Sequence, residues 1–432
     1  MDIKHLYNLF KESGFKVCTD TRQIKPGSLF FALKGDQFNG NKYALEAIDK
    51  GCSYAIVDEE VGSKNEKIIK VKNSLIALQQ LAGLHRSKFN IPVLSVTGTN
   101  GKTTTKELIS SVLQKKYKTT CTKGNLNNHI GVPLTLLEIN SQTEIAVIEM
   151  GANHPGEIKM LCEIARPNLG LITNVGRAHL EGFGSFEGVV NTKTEMYRYL
   201  YENDGKVFVN YKNNILVKHS EKLSIISYGM DSNTDVIGTE SISDPFLELN
   251  WKVKNDTHWS LLKTNLVGLY NTENVLAAIC VGNYFKICIE DINDAISSYF
   301  PSNNRSQILK TKTNTLLLDA YNANPTSMNL AIDNFCSMKG DHKTMILGDM
   351  LELGNESTDD HNNIINKIND SGISNLFLVG RTFCSLANKF NIKCFNDTDE
   401  FRNYLKLNPL FKSLILIKGS HGIHLEKIID LL

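Results

Sequence analysis

The stretch "SVTGTNGKTTTKEL", residues 95–108, decides the fold of the middle of the chain. Its glycines and lysine follow the pattern of a phosphate-binding loop that has two residues fewer than usual. The standard pattern G-x-x-x-x-G-K-[ST] needs a glycine five positions before Gly101. Val96 occupies that position, and the first glycine is Gly98. The stretch therefore predicts a nucleotide site of a shortened type.

The residues on either side place these glycines at a turn between a strand and a helix. The apolar run 91–96 predicts a buried strand, and a helix is expected from about Lys102. One face of that helix is apolar, formed by Leu108, Ile109, Val112 and Leu113. At such a turn, backbone N–H groups hold phosphates, Lys102 reaches the β- and γ-phosphates and the Thr103 hydroxyl ligates Mg²⁺. An ordinary glycine turn with a solvated lysine is the alternative.

Length, charge and cysteine usage bound the class of protein. A chain of 432 residues with 41% apolar residues is expected to form several folded domains. The 47 basic residues balance 46 acidic ones, so we expect no nucleic-acid partner. Nine separate cysteines without C-x-x-C argue against a disulfide framework and a zinc knuckle. No run of about 18 uncharged apolar residues occurs, so we expect a cytoplasmic protein without a membrane span.

The chain divides into three blocks, and the expected fold class is α/β with three domains. Residues 1–88, the N-terminal block, contain short apolar runs and turn glycines and predict a small α/β domain. In residues 89–300, the central block, continuous apolar runs alternate with helical patterns, which predicts a mononucleotide-binding domain with a mostly parallel sheet; 231–268 is more strand-like and irregular. Residues 301–432, the third block, repeat the alternation and predict a Rossmann-like domain.

Acidic and basic residues at the ends of predicted strands suggest a metal site beside the loop. Glu149 ends one strand and His179 follows another, and with Thr103 they would form a mostly oxygen-ligated magnesium site. A solvated glutamate and a structural histidine are the alternatives.

The loop 97–103, "TGTNGKT", resembles the shortened loop of the Mur ligase family. The resemblance extends over most of the chain through "GNLNNHIGVPLTLL" (124–137), "EMGANHPGEI" (149–158), "DAYNANPTSM" (319–328), "LGDMLELG" (347–354) and "KGSHGIHLEKI" (418–428). These motifs are similar to those of the family branch that joins D-alanyl-D-alanine to a UDP-N-acetylmuramoyl-tripeptide. The resemblance implies an ATP-dependent amide ligase that uses Mg²⁺ and acts as a monomer.

The resemblance also implies roles for particular residues. The ATP contacts are expected from the loop and from the later blocks: Gly98, Thr99, Asn100, Gly101, Lys102, Thr103, Thr104, Asn271, Asn274, Arg305 and Asp319. Lys102, Lys193, Glu149 and His179 are the catalytic set, and Lys193 would be carbamylated and support a second metal ion. The peptide and nucleotide substrates are expected to contact Thr21, Arg22, Asn125, Asn127, Asn128, Asn322, Asn324 and Asp349. Of these, Thr21 and Arg22 of 1–88 would lie near the sugar nucleotide, and Asn322, Asn324 and Asp349 of the third block would contact the dipeptide.

Several positions depart from the family pattern. Thr194 stands where glycine follows the modified lysine, and Tyr270 and His421 replace a usual histidine and arginine. Asn39 replaces a usual aspartate near the uridine site. The alternative for Lys193 is a surface lysine on a helix, and the alternative for Asn271 is simple N-capping of a helix.

Two further function classes stay open: a sister ligase for another amino acid or folate, and a non-enzymatic scaffold gated by ATP. The last acceptor residue, meso-diaminopimelate or L-lysine, is left open.

Overall fold

The computed structural model describes residues 2–35, 37–62, 65–239, 242–302, 304–340, 342–387, 390 and 392–432. Three large sheets run through these residues, one in each block of the sequence, and the N-terminal block has a further two-stranded sheet. The expected α/β architecture with three parts is therefore confirmed. No helix within the described ranges is long and apolar enough to cross a membrane.

The N-terminal block contains a parallel sheet with strand order β1-β2-β5-β6 and a small antiparallel hairpin. Its strands are β1 (Val17–Cys18), β2 (Leu29–Phe31), β3 (Lys34–Gly35), β4 (Phe38–Asn39), β5 (Tyr54–Val57) and β6 (Ile68–Lys70). Its helices are α1 (Ile3–Glu12), α2 (Ala44–Asp49) and α3 (Ser74–Arg86), with a 3-10 turn at Gly40–Tyr43.

The central block contains the largest sheet. Its parallel strands are β7 (Val93–Thr97), β8 (Thr119–Cys121), β9 (Ile145–Glu149), β10 (Leu169–Ile172), β11 (Lys206–Asn210), β12 (Ser224–Gly229) and β13 (Val236–Gly238). Its antiparallel strands are β14 (Ile242–Ser243), β15 (Phe246–Val253) and β16 (Ser260–Val267). These last strands occupy the stretch that the sequence marked as irregular.

Helices cover both faces of the central sheet, as expected for buried parallel strands. They are α4 (Lys102–Leu113), α5 (Gly131–Leu136), α6 (Glu157–Ala165), α7 (Leu180–Phe183), α8 (Phe186–Lys193), α9 (Glu195–Glu202), α10 (Asn214–Ser220), α11 (Thr272–Tyr284) and α12 (Ile289–Ser297), with a 3-10 turn at Leu269–Asn271. The order β11-β10-β7-β9-β8 places the phosphate loop after a strand inside the sheet. The loop is thus supported on both sides.

The third block has the strand order β17-β18-β22-β19-β20-β21, with only β17 antiparallel. Its strands are β17 (Gln307–Lys310), β18 (Thr315–Asp319), β19 (Lys343–Gly348), β20 (Asn375–Val379), β21 (Lys393–Phe395) and β22 (Leu414–Lys418). Its helices are α13 (Pro325–Ser337), α14 (Ser357–Asn369), α15 (Arg381–Ala387) and α16 (Thr398–Leu407), with 3-10 turns at Gly354–Glu356, His421–Ile423 and Leu425–Leu431.

The N-terminal block shares its core with the central sheet. Leu78 and Leu81 of α3 belong to the same buried cluster as Phe31 of β2 and Ile148 of β9. The opposite face of the central sheet packs against α4 and α11 in a separate cluster. A break at residue 88 would expose apolar surface, so substrate roles of the N-terminal block are better tested by point substitutions than by truncation.

Candidate active site

The phosphate loop has a backbone that only glycine adopts without strain. Gly98 and Gly101 have φ values of 142° and 76°. A Cβ atom at Gly98 would lie 2.0 Å from Oγ1 of Thr173, and one at Gly101 would lie 2.6 Å from Oδ1 of Asn274. Both the turn and the close packing therefore require glycine here. The predicted strand, turn and helix are confirmed, and α4 begins at Lys102.

The Lys102 side chain lies across the loop. Its Nζ donates hydrogen bonds of 2.8 Å to the carbonyl oxygen of Gly98 and 2.9 Å to that of Thr99. Desolvation lowers the pKa of the Lys102 amine to about 8, with Glu149 opposing this shift and Arg305 adding to it. The amine is therefore bonded to the loop rather than free in solvent, which disagrees with the solvated lysine of the alternative.

Glu149 is a buried carboxylate whose oxygens are unequally satisfied. Its Oε1 accepts hydrogen bonds from Thr103 Oγ1 at 3.1 Å and from Asn127 Nδ2 at 2.8 Å. The residue is 1% exposed, and its buried Oε2 has no hydrogen-bond partner among the described residues. A buried, half-paired carboxylate is costly. A hard cation beside the Thr103 hydroxyl would satisfy the free oxygen, so this donor set fits magnesium.

His179 reaches the site from an unusual backbone conformation. Its φ is 51°, the left-handed region, at the residue before α7. Its Nδ1 bonds to a carboxylate oxygen of Glu352, which lies in the third block. Within the described ranges no three His, Cys, Asp or Glu side chains form a metal-binding group. The predicted set contains only two such residues, and its other members are Thr103 and Lys193.

Lys193 ends α8 and is buried. The side chain is 2% exposed, its Nζ lies 3.3 Å from the carbonyl oxygen of Ala152, and it stands 5.2 Å from the centre of the Phe183 ring. Desolvation, together with the charge of Lys102, lowers the pKa of this amine to about 7 against the opposing charges of Glu157 and Glu195. The alternative of a solvent-exposed surface lysine is therefore wrong.

A cavity of about 1070 Å³ lies where the central and third blocks face each other. Among the predicted residues, its lining includes Thr99, Asn100, Gly101, Lys102, Thr103, Thr104, Asn127, Asn128, Glu149, His179, Asn271, Asn274, Arg305, Asp319, Asn322 and Asn324. Asn125 is exposed and, like Gly98, Lys193 and Asp349, does not belong to that lining. Lys212, Tyr321 and Lys418 also line the cavity; Tyr321 and Lys418 lie within the quoted motifs 319–328 and 418–428, although neither was singled out there, and Lys212 lies in no motif.

Asn271 and Asn274 tie helix α11 to the phosphate-loop helix. Asn271 donates to the Val267 carbonyl at 2.8 Å, and Asn274 donates to Asn271 Oδ1 at 2.9 Å. The Asn274 oxygen accepts a 3.0 Å hydrogen bond from Thr105 in α4. The Asn271 side chain makes no capping bond to α11, so the N-capping interpretation of this residue is wrong.

Arg305 and Asp319 bring third-block charges to the cavity. The guanidinium carbon of Arg305 stands 3.5 Å from the centre of the Tyr321 ring, and the buried Nε of Arg305 has no hydrogen-bond partner in the part of the chain that the structure describes. The two Asp319 oxygens are held by the Lys418 amine at 2.5 Å and by the Ser306 amide at 3.1 Å. The Arg305 guanidinium is thus oriented by stacking on the Tyr321 ring, and the Asp319 carboxylate is anchored at the carboxyl end of β18.

Two of the predicted dipeptide residues face the cavity, and the third does not. Asn324 caps α13 through a 2.9 Å bond from the Ser327 amide, and its Nδ2 donates to Asn100 Oδ1 at 2.8 Å. Asn322 also lines the cavity. Asp349 is 4% exposed, and its two oxygens accept the amides of Thr382 and Phe383, each at 2.9 Å. It anchors the start of α15, which corrects its expected contact with the dipeptide.

A second cavity, of about 590 Å³, lies in the N-terminal block. It is lined by Thr19, Asp20, Thr21, Arg22, Phe30, Phe38, Tyr43 and Glu46. Arg22 pairs with Asp20 at 2.7 Å, and the Phe38 and Tyr43 rings stack with centres 5.6 Å apart. The predicted Thr21 and Arg22 thus share a cavity with two exposed aromatic rings that the sequence did not single out.

Comparisons with known proteins match each block separately and the chain as a whole. The Mur ligase family catalytic domain matches residues 16–86, the Mur ligase middle domain 96–282, and the Mur ligase glutamate ligase domain 304–421. The UDP-N-acetylmuramoyl-tripeptide--D-alanyl-D-alanine ligase of Bacillus subtilis is 34% identical over 96% of this chain and 92% of its own length. The ligase of that name from Escherichia coli is 32% identical, again over 96% and 92%.

Solved structures have the same architecture. A crystal structure of MurF from Acinetobacter baumannii superposes with a TM-score of 0.86 at 29% identity, covering 96% of this chain and 93% of that one. MurF ligase from Thermotoga maritima in complex with ADP has the same fold, with a TM-score of 0.84 at 24% identity and 96% coverage of both chains. From these matches along nearly its full length, the chain belongs to the Mur ligase family.

Proposed function

We propose that this chain is an ATP-dependent ligase that joins D-alanyl-D-alanine to UDP-N-acetylmuramoyl-tripeptide in peptidoglycan precursor synthesis. The observation that carries the proposal is the 1070 Å³ cavity, in which the phosphate loop faces Arg305, Asn322 and Asn324 of the third block. Such a cavity holds a nucleotide next to two further reactants. The identity to ligases of this name over 96% of the chain supports the choice of substrates.

The reaction first makes an electrophile from a carboxylate. An oxygen of the tripeptide carboxylate attacks the γ-phosphorus of ATP, ADP leaves, and an acyl phosphate forms. The amine of the dipeptide then attacks the carbonyl carbon through a tetrahedral intermediate, loses a proton and expels phosphate. Lys102 and Arg305 would stabilise the negative charge that develops on the transferred phosphoryl group. Closure of the three blocks around the substrates would exclude water, which otherwise hydrolyses the acyl phosphate.

Thr103, Glu149, His179 and carbamylated Lys193 would hold magnesium. The unpartnered Glu149 Oε2 and the nearby Thr103 hydroxyl support this assignment. When bound, Mg²⁺ neutralises charge on the phosphates. For ATP itself, the loop residues 98–104 would cradle the phosphates, Asn271 and Asn274 would lie toward the adenine, and Asp319 toward the ribose.

The buried amine of Lys193 supports carbamylation. An amine must be uncharged to add to carbon dioxide, and a pKa of about 7 leaves much of Lys193 uncharged at neutral pH. Its nitrogen forms a bond to the carbon of CO₂ and one proton is released, which leaves a carbamate anion. Carbamylation would therefore replace a buried ammonium with a negatively charged ligand that suits a metal cation.

The acceptor would extend from one cavity to the other. We assign the uridine end to the N-terminal block, 1–88, where Thr21 and Arg22 share the 590 Å³ cavity with the stacked Phe38 and Tyr43 rings. The ATP reaction is assigned to 89–300 and dipeptide recognition to 301–432, through Asn322 and Asn324. Asn127, which bonds to Glu149, and Asn128 of the same cavity would contact the reacting end of the acceptor, with exposed Asn125 at its margin.

Phosphate release tests the proposal directly. With the full chain, release should require ATP, the UDP-linked tripeptide and D-alanyl-D-alanine together, and omission of either peptide substrate should abolish it. Replacing the dipeptide with glutamate serves as the control for a sister ligase. Steady ATP hydrolysis that ignores both peptide substrates would favour the ATP-gated scaffold instead.

A further inference from the structure

The segment 349–354, "DMLELG", forms a rigid loop after β19, which we call the docking loop. Its backbone is fixed inside the third block at successive residues. The Met350 amide donates to His361 Nε2 at 3.0 Å, and the Leu351 amide donates to Ser420 Oγ at 2.9 Å. With Asp349 capping α15, the loop presents its next residue, Glu352, in a fixed position.

The docking loop contacts the central block beside the cavity. Glu352 bonds to His179, and Glu356, just beyond the loop, forms an ion pair with Arg177. A Cβ atom on Gly354 would lie 3.3 Å from the Cα of Glu181, so the two backbones approach closely. The sequence predicts that this motif contacts the dipeptide, whereas its described contacts outside the third block are with the segment 177–181.

Both residues of the His179–Glu352 pair have left-handed backbones. Their φ values are 51° and 63°, and neither is glycine. Such conformations are unfavourable for residues other than glycine and persist where surrounding structure imposes them, commonly at functional sites. The backbones that carry the two side chains are therefore constrained on both sides of the contact, although the Glu352 side chain itself is 53% exposed.

We propose that Glu352 is a positioning residue that aims His179 at a divalent cation in the cavity. This inference rests on the proposed function. The Glu352 carboxylate accepts the Nδ1–H of His179, so the lone pair of the neutral ring is on Nε2. His179 lines the cavity, while Glu352 does not belong to the described lining and stands behind the ring. A carboxylate behind a histidine ligand fixes the tautomer and makes the other nitrogen more basic.

The arrangement links the third block to metal binding. Glu352 can hold His179 only while the docking loop lies against 177–181. Docking of the third block therefore completes the metal site, and by linkage a bound cation favours the docked arrangement. The block that would bring the dipeptide would in this way also prepare the ATP site.

Mn²⁺ binding to the full chain without nucleotide tests the proposal, with electron paramagnetic resonance as the readout. We expect Glu352→Gln to weaken Mn²⁺ binding about tenfold. This is the lower end of the effect of mutating a residue that hydrogen-bonds a metal ligand. His179→Ala should weaken it at least as much and remove the imidazole nitrogen coupling from the spectrum of bound Mn²⁺. In the His179→Ala background, Glu352→Gln should then cause no further loss, because its partner is gone.

Glu356→Gln is the matched control, since it breaks the Arg177 pair at the same contact but leaves His179 with its carboxylate. We expect its Mn²⁺ affinity within twofold of the wild type. The proposal is overturned if Glu352→Gln binds Mn²⁺ like the wild type, if its effect adds to that of His179→Ala, or if Glu356→Gln is equally impaired. Absence of ligase activity in the wild-type chain would instead contradict the proposed function, independently of this cycle.

Discussion

The side-chain amide of Asn324 donates a 2.8 Å hydrogen bond to Oδ1 of Asn100 and so joins the start of α13 to the phosphate loop. Asn324 also caps its helix through the Ser327 amide. One residue thus combines a local stabilising role with a contact between the third and central blocks, and substitutions separate the two.

We predict that Asn324→Asp retains the helix cap but loses the amide donor toward Asn100, so stability changes little while the KM for D-alanyl-D-alanine rises. Asn324→Ala should lose both the helix cap and the amide donor, and it should also lower the free energy of unfolding by about 1 kcal/mol. Asn73 offers a matched control, because it caps α3 through Ile76 and does not line either described cavity. Asn73→Ala should lower the melting temperature and leave the KM unchanged.

Lys102→Ala should abolish turnover in a chain that remains folded. The amine bonds only to two carbonyl oxygens of the loop in the described contacts, so its removal exposes no core. Loss of a charge aimed at a transferred phosphoryl group should lower kcat by about 10²-fold or more. Stopped phosphate release with an unchanged circular dichroism spectrum is the expected result, and ligation at the wild-type rate would contradict the nucleotide site.

The buried amine of Lys193 predicts a pH dependence of stability in buffer free of carbon dioxide. Its pKa falls from 10.5 to about 7 on folding, so the folded state binds fewer protons than the unfolded state between those values. The free energy of unfolding should therefore rise with pH from about 7 toward 10.5, and the penalty is fully present below pH 7. Urea denaturation across this range measures it.

Lys193→Met should remove that pH dependence and stabilise the chain at pH 6 by up to about 5 kcal/mol, while it abolishes ligation. Lys106 is the matched control, since its buried amine bonds to the Thr122 carbonyl at 2.8 Å. Lys106→Met should therefore destabilise. If Lys193→Met is less stable than the wild type at pH 6, the amine is not an unfavourable buried charge. Partial rescue of Lys193→Ala by a short carboxylic acid would support the carbamate.

Arg22→Ala should weaken the UDP-linked acceptor and spare ATP. Arg22 is exposed and pairs only with Asp20 among the described ion pairs, so its loss should change stability by less than about 0.5 kcal/mol. Loss of a charged hydrogen bond to the nucleotide should raise the acceptor KM by about tenfold or more. Arg402 of α16, which pairs with Asp430, provides the control. An unchanged acceptor KM in Arg22→Ala would remove this residue from the uridine site.

The sequence predicted what local pattern determines. Apolar periodicity and glycine chemistry predict the strand before Gly98, the helix from Lys102 and the alternation of buried strands with helices. It did not predict that Asp349 caps α15 or that Glu352 meets His179. Those contacts depend on how chain segments far apart in sequence approach each other. A polar residue after a strand looks the same in sequence whether it faces a ligand or a backbone amide.

The central claim is that the tripeptide carboxylate is phosphorylated before the amide bond forms. Acceptor labelled with ¹⁸O in its terminal carboxylate, supplied with ATP and D-alanyl-D-alanine, tests this in one measurement, the mass of the released phosphate. We predict one ¹⁸O atom in each phosphate released, because the oxygen that attacks the γ-phosphorus leaves with it. Phosphate without ¹⁸O, released together with the ligated product, would contradict the account.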